Sequence, residues 1–380
     1  MPSEPTSIQR QILYFRGDET VEVRTEFLPP PDNGEVQVQT SVSAISGGTE
    51  KLVYRGDVPE ALLEDATITA LRQERAEGSE GGRERMPEDE AGPRDVPSPY
   101  RLPYGYACVG QVQKVGSAAH RFSEGQRVFA FHPHASHFNA SENAVIPLPD
   151  SLSDEDAAFL PNVETAVGLL MDGAPLIGER VAVFGLGVVG LLVTSLLSDY
   201  PVDTLVAVDP LPERRRLARN AGATHVASPT DLEEIRRVLE IGDASVHDPT
   251  TQPAAGADLV FELSGQPAAL NQALEACGYG GRIILGSWYG KRTADVDLGA
   301  RFHRSHVSLR SSQVSTIGPE HRARFTKDRR MRVALAMCEQ LRPYQAWGTT
   351  YGMNEAKEAY ERIADGSTNH PQILLSYPSN

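Results

Sequence analysis

The run RVAVFGLGVVGLLVTSLL places Gly185, Gly187 and Gly190 in a G-x-G-x-x-G spacing, directly behind a valine-rich strand and ahead of an apolar helix. That spacing suits a diphosphate. The first glycine permits a tight turn, the second lets the backbone approach a pyrophosphate, and the third lets helix and strand pack closely. Val188 and Val189 open the helix whose N-terminal amides would meet the phosphates. Asp209 closes the next strand, about 20 residues downstream, where a carboxylate accepts hydrogen bonds from an adenosine ribose. This favours NAD. Arg214, the first of three consecutive arginines just beyond, keeps NADP open, since a guanidinium suits a 2′-phosphate. Ser264 with Gly265, and Gly286 with Ser287, fall at the carboxyl ends of later strands, where such sheets bind ligands. The competing reading is a nucleotide fold that has lost its ligand or serves another, such as S-adenosylmethionine.

His132, His134 and His137 in FHPHASHF are the other cluster with chemical potential. Their spacing spreads them over mixed faces of a loop, and no cysteine or carboxylate follows nearby, so packing or surface histidines are expected rather than a metal centre. Cys108, Cys277 and Cys338 are too far apart for a zinc knuckle or a disulfide framework. A chain of 380 residues, 40% hydrophobic, has room for two domains. Its net charge of −15 disfavours nucleic acid and anionic membranes as partners. With neither a long apolar run nor a basic-then-apolar leader, a soluble cytoplasmic protein is expected.

The elements that must position these residues change character along the chain. QILYF, VEVRTEFL and EVQVQTSVSAIS alternate in the β manner between Gly/Pro/Asn turns, and YACVGQVQKVG and QRVFAFH continue the pattern. Between them, about 60–100 is a charged, Gly/Pro-rich insertion, read as an exposed loop or a mobile lid. Ser153, three residues before Asp156, starts a helix in the manner of a capping box. From 180 to 311, six strand-like runs alternate with helical ones, the mark of a parallel βαβ sheet. The tail carries helices near 329–341 and 354–364 and a closing strand, QILLSY.

VQVQTSVSAISGGTEKLVYRG, PYGYACVGQVQKVG, AAFLPNVETAVGLL, the glycine turn with VDPLPERRRLARNAGATHV, and DLVFELSGQP together resemble the medium-chain dehydrogenase/reductase superfamily over nearly the whole chain. The resemblance implies an α/β protein: a doubly wound Rossmann domain (164–311) joined to a GroES-like, mostly β catalytic domain (1–163), to which 312–380 return. In zinc-dependent members the first ligand is a cysteine in a run that falls here on Ile45-Ser46-Gly47-Gly48-Thr49. The second, a histidine, falls on Tyr106, and the third falls near Pro161-Asn162, with Glu164 the nearest carboxylate. The lobe of four cysteines that holds structural zinc in many members is also missing. The resemblance is therefore to a zinc-free branch, similar to threonine dehydrogenase-like and hydroxyethyl-bacteriochlorophyllide dehydrogenase-like proteins.

Hydride transfer at a carbon–oxygen centre develops alkoxide charge, which hydrogen-bond donors must stabilise where zinc does not. Tyr106 is the leading donor, against the alternative of a packed aromatic; Thr49 and Ser46 add hydroxyls. Lys51 stands where many zinc members place a proton-relaying histidine, or is simply exposed. Glu164 reads as a general base, an anchor for the nicotinamide amide, or a helix cap, and Thr165 lies where the superfamily often has a threonine near the nicotinamide. The implied activity is zinc-independent, NAD(P)-dependent interconversion of a secondary alcohol and ketone. Enone or quinone reduction is the alternative, and a non-catalytic nicotinamide-binding protein is the reading from another class. Lys291, Arg301, His303, Arg304 and Arg310 would line an acidic substrate's path or face a partner copy; a homodimer is expected from the resemblance.

Overall fold

A computed structural model describes residues 7–57, 101–240, 255–290 and 292–378. The insertion read at about 60–100 and Lys291 lie outside the described residues, except that the insertion's last neighbour, Arg101, is described. The chain divides into two units, Met1–Phe159 with Arg342–Asn380, and Leu160–Leu341.

The first unit is mostly β. Strands β1 (Ile8–Phe15) and β2 (Val21–Leu28) form an antiparallel hairpin, and β4 (Leu102–Pro103) pairs with β1. The larger sheet runs in the order β15 (Gly348–Gly352), β16 (Gln372–Ser376), β3 (Glu35–Ala44), β5 (Cys108–Val115), β6 (Arg127–Ala130), β8 (Val145–Pro147), and β7 (His137–Ser141) also pairs with β3. The β3–β5 ladder shifts register between Thr40 and Val42, where Gly110 meets the opposite backbone. A Cβ on Gly110 would lie 2.0 Å from the Gln39 carbonyl oxygen, so only glycine allows the approach. Helix α1 (Thr49–Arg55) follows β3, α2 (Asp154–Ala157) precedes the unit boundary, and α9 (Pro343–Trp347) and α10 (Ala356–Asp365) belong to the returning tail. Phe15, Ile45, Tyr54, Tyr360, Ile373 and Leu375 bury together as one core of this unit.

The second unit is a six-stranded, wholly parallel sheet in the order β11 (His225–Ala227), β10 (Thr204–Val208), β9 (Arg180–Phe184), β12 (Ala257–Glu262), β13 (Cys277–Leu285), β14 (Ser308–Ser311). This is the doubly wound Rossmann order, with the direction of winding reversing between β9 and β12. The helices are α3 (Leu160–Gly173), α4 (Val188–Ser198), α5 (Pro212–Asn220), α6 (Leu232–Val238), α7 (Ala269–Ala276) and α8 (Lys327–Leu341). The fold class read from the sequence is the one observed.

The unit boundaries fall elsewhere than the sequence suggested. Contacts group 160–163 and 312–341 with the parallel sheet, not with the β unit. The cause is a buried clamp between α3 and α8. Arg330, 2% exposed, donates through Nε and Nη2 to Glu164 Oε1 at 3.1 and 2.8 Å, and through Nη1 to the Thr316 carbonyl at 3.2 Å. No local pattern announces that pair, since its members are far apart in sequence. The single helix expected from Ser153 onward is also two: Ser153 Oγ accepts the Asp156 N–H at 3.1 Å to cap α2, and α3 begins afresh at Leu160.

Candidate active site

The glycine turn of the second unit shows why each glycine is needed. Gly185 has φ +90°, and a Cβ there would lie 2.4 Å from Ser264 Cα. A Cβ on Gly190 would lie 1.9 Å from the Gly185 carbonyl oxygen. Gly187 differs, because its Cβ direction is open to 4 Å. Helix α4 starts here with no side-chain cap and no acidic residue in its first turn. An uncapped N-terminus beside an open glycine is a cradle that fits a pyrophosphate. Val188 and Val189, half-buried, form its first turn.

Asp209 is 8% exposed and spans the cradle: one carboxylate oxygen accepts the Leu186 N–H at 2.8 Å, the other the Leu211 N–H at 2.9 Å. Each oxygen keeps a lone pair for a ribose hydroxyl. Arg215 holds the neighbouring carbonyls, donating to Asp209 O at 2.6 Å and Pro210 O at 2.9 Å. Burial pushes the Arg214 guanidinium down, while the Asp209 charge opposes that shift. Arg216 pairs with Glu213 on the surface.

The ends of β12 and β13 converge on the same turn. Gly265 N–H donates to Ser287 Oγ at 2.8 Å, Gly286 N–H to the Glu262 carbonyl at 3.0 Å, and Ser264 N–H to the Glu262 carboxylate at 2.9 Å. Tyr289 donates its phenol to the other carboxylate oxygen of the fully buried Glu262 at 2.7 Å. Ser264, Gly286 and Ser287 thus stand with Gly185 around one strand end. Sequence reading missed Glu262 as their organiser, although its place as the last residue of a central strand was visible.

The remaining second-unit candidates are on α3. Glu164 is held by Arg330, an engagement other than the base or amide anchor expected of it. Asn162 is 7% exposed, and Thr165 Oγ1 donates to the Pro161 carbonyl one turn back at 2.9 Å. Of the basic residues near the end of the sheet, Arg301 donates to the Cys277 carbonyl and Arg310 pairs with Asp172 and Glu320, so both are engaged within their own unit.

In the first unit, the Ser46 and Tyr106 loops hang from the end of β3. Ala44 N–H donates to the Ala107 carbonyl at 2.9 Å, one residue beyond Tyr106 and two before Ser46. Ser46 Oγ accepts the Thr49 N–H at 3.4 Å, and Glu50 Oε1 accepts the Ser46 N–H at 2.9 Å, so both bonds tie the turn to the start of α1. Tyr106 is half-buried. Lys51 instead donates to the Ile363 carbonyl at 3.2 Å, near the C-terminus of α10, where Arg55 also donates to Ala364. Cations favour that end of a helix. Burial, then the Arg55 charge, pull the Lys51 ammonium down.

The three histidines divide. His132 stacks on Phe138 with centroids 4.1 Å apart, and burial pulls its imidazole down to about 4. His137 is drawn down by burial as well. His134 is wholly buried and hydrogen-bonded to Glu50 and Ser43, a placement that its loop sequence did not signal. At the positions where the resemblance puts zinc ligands, Ser46 and Tyr106 offer hydroxyls and Asn162 an amide, with Glu164 the nearest carboxylate and bonded to Arg330; the set does not fit zinc, which takes thiolate, imidazole or carboxylate. Burial pushes the neighbouring Cys108 thiol up to about 12. Among the described residues no three His, Cys, Asp or Glu side chains are grouped to hold a metal ion.

An open-cradled Rossmann sheet and a separate β unit with polar loops define an alcohol dehydrogenase-like architecture. Residues 188–328 match the family described as zinc-binding dehydrogenase. The chain is 24% identical over 401 aligned positions to the uncharacterized zinc-type alcohol dehydrogenase-like protein YphC of Escherichia coli, covering 96% of this chain and 98% of that one. It is 26% identical to (R,R)-butanediol dehydrogenase of Bacillus subtilis, over 56% of this chain and 64% of the relative. It is 32% identical to L-threonine 3-dehydrogenase of Pyrococcus horikoshii, over 41% and 44% respectively. Among solved structures, an alcohol dehydrogenase from Escherichia coli complexed with NADH superposes with TM-score 0.70 at 16% identity, covering 97% of this chain and 99% of that one. A Sinorhizobium meliloti protein described as a zinc-binding dehydrogenase and bound to NADP gives 0.68 at 16%, with the same coverage. The fold is theirs, and the sequence matches are to zinc-type alcohol dehydrogenase-like proteins. Among the described residues, no helix is long and apolar enough to cross a membrane.

Proposed function

We propose that this protein is an NAD(P)-dependent oxidoreductase that interconverts a small secondary alcohol and its ketone without catalytic zinc. The observation that carries the reading is the joint anchoring of the Ser46–Thr49 turn and the Tyr106 loop on the end of β3, through Ala44 N–H and the Ala107 carbonyl. Two of the three positions at which the resemblance puts metal ligands are here hydroxyls, on loops tied to one strand. A bound nicotinamide would accept the hydride from the alcohol, or return it to the ketone. The chain's part is to hold the substrate oxygen with the Tyr106 phenol and the Thr49 hydroxyl, donors whose hydrogen bonds strengthen as alkoxide charge develops. Ser46 adds a third hydroxyl while its Oγ accepts the Thr49 N–H. The proton that the alcohol loses on oxidation and regains on reduction passes through the Tyr106 phenol to solvent; Lys51, bonded to the Ile363 carbonyl, and Glu164, whose Oε1 is held by Arg330, are given no part in it.

Asp209 supports NAD as the preferred cofactor, since its carboxylate suits a ribose diol and repels a 2′-phosphate. Relatives named for butanediol and threonine support a secondary alcohol as the substrate class. A cytoplasmic homodimer completes the reading.

The test is nicotinamide absorbance with NAD, NADP and their reduced forms, each offered alcohol, ketone, enone and quinone panels, run with and without a metal chelator. Turnover of an alcohol–ketone pair is expected, faster with NAD. Tyr106→Phe and Thr49→Val should each lower kcat by roughly 100-fold or more while NADH affinity stays the same. Normal turnover in both variants, or loss of activity to the chelator, overturns the assignment. Consumption with enones or quinones alone moves the protein to the reductase class, and tight NADH binding with no turnover in any panel favours a non-catalytic role.

A further inference from the structure

We infer that the buried Glu50–His134 pair is a positioning hub that fixes the Ser46–Thr49 turn and the Tyr106 loop in one geometry; the inference rests on the donor roles proposed above. Both residues are 0% exposed, inside a unit whose neighbouring core is Phe15, Ile45, Tyr54 and Leu375. Glu50 reaches one loop directly, because its Oε1 accepts the Ser46 N–H at 2.9 Å. Its Oε2 takes His134 Nε2 at 3.1 Å and the phenol of Tyr360.

His134 reaches the other loop in two ways. Its N–H donates to the Tyr104 carbonyl at 3.2 Å, and its ring lies against Gly105, the residue before Tyr106. A Cβ on Gly105, at φ +149°, would come within 2.7 Å of His134 N and 2.9 Å of its Cδ2. One hydrogen bond between two buried side chains thus connects the residue that holds the Ser46 backbone to the residue that holds the Tyr104 carbonyl, two positions before Tyr106. Both ring nitrogens are engaged: Nδ1 lies 2.7 Å from Ser43 Oγ, which in turn lies 2.8 Å from the Tyr377 phenol oxygen.

A polar hub at this place is not what packing alone favours. Buried charged groups are commonly replaced by apolar side chains of like volume at no loss of stability, whereas removing one partner is costly. What the hub supplies is definition: it leaves the two loops a single relative setting. Misplacing reacting groups by about 1 Å can cost a reaction about 100-fold.

The experiment uses the full-length chain with His134→Phe, which keeps a ring against Gly105 but removes both ring hydrogen bonds. Faster amide exchange is expected in peptides spanning 44–54 and 103–108, with NADH affinity unchanged and kcat lower by roughly 10-fold to 100-fold. The deciding readout is a double-mutant cycle. In a Tyr106→Phe, Thr49→Val background the same change should cost less than about 3-fold, because the groups it positions are already gone. Equal fold losses in both backgrounds, or unchanged exchange in the two peptides, overturn the hub. Should His134→Phe fail to fold, the near-isosteric Glu50→Gln enters the same cycle and is judged by the same outcomes. Wild-type turnover in the donor-less background is a separate result: it sinks the donor roles and, with them, a hub for this reaction, while the exchange data alone report whether the pair holds the loops.

Discussion

His132 carries a pH dependence whose sign follows from its surroundings. Its Nδ1–H donates to the Pro133 carbonyl at 2.8 Å and its ring stacks on Phe138, both in the neutral form, while burial first and then the Arg10 charge oppose protonation. The folded imidazole is drawn down to about 4 from the ordinary 6.5. Between those values the unfolded chain binds the extra proton and the folded chain does not, so stability is fully present above about 6.5 and falls as pH drops towards 4. The loss between pH 7.5 and 5 is roughly 2 kcal/mol from this residue alone. Melting curves should show it, and His132→Gln should flatten the slope over that window; an unchanged slope would place the acid sensitivity elsewhere. At this scale the sequence was informative where a residue type does one thing in one local setting, as with the three glycines and Asp209. It was silent where a partner comes from far along the chain. Lys51, Glu164 and His134 looked available or ordinary, and each is engaged by Ile363, Arg330 or Glu50, at separations of 84 to 312 residues.

The glycine turn divides, as an element, into positions that build it and a position that serves its ligand. Gly190→Ala would set a methyl 1.9 Å from the Gly185 carbonyl oxygen, so the strand–turn–helix unit must open to accept it. Gly187→Ala meets nothing within 4 Å and its φ of −66° suits any residue, so the fold should accept it without change. That methyl would instead occupy the approach of a pyrophosphate. The expected outcome is a lower melting temperature for Gly190→Ala, and for Gly187→Ala an unchanged one with NADH affinity weakened about 10-fold or more. Fluorescence titration and melting together check it, and undiminished affinity in Gly187→Ala would remove the pyrophosphate from this site. All six strands of this sheet were legible because valine-rich runs alternate with helical ones. The extent of the unit was not. Helix α8 has the composition of a surface helix, and its buried residues Arg330, Ala334 and Cys338, with the Arg330–Glu164 bond, show that it belongs with α3.

For the molecule as a whole, the sheet's last strand bears on the proposed homodimer. β14 pairs with β13 on one side and ends the strand order, and Ser308, Leu309 and Ser311 are exposed. An edge of this kind leaves backbone N–H and C=O groups open to another strand. Two copies meeting edge to edge across a two-fold axis would run antiparallel and continue the sheet, with each residue near its own counterpart. Each chain brings a net charge of −15, so the copies repel at long range while backbone pairing holds them at short range. Salt screens the first force and leaves the second, so association should strengthen with ionic strength, opposite to the behaviour of an interface built on charge complementarity. Light scattering should give twice 41.3 kDa, and Leu309→Lys, which places like charges face to face on an already exposed residue, should shift the mass towards a single chain. A wild-type mass of 41.3 kDa at every salt concentration would exclude the dimer, and a dimer indifferent to Leu309→Lys would move its interface away from this edge.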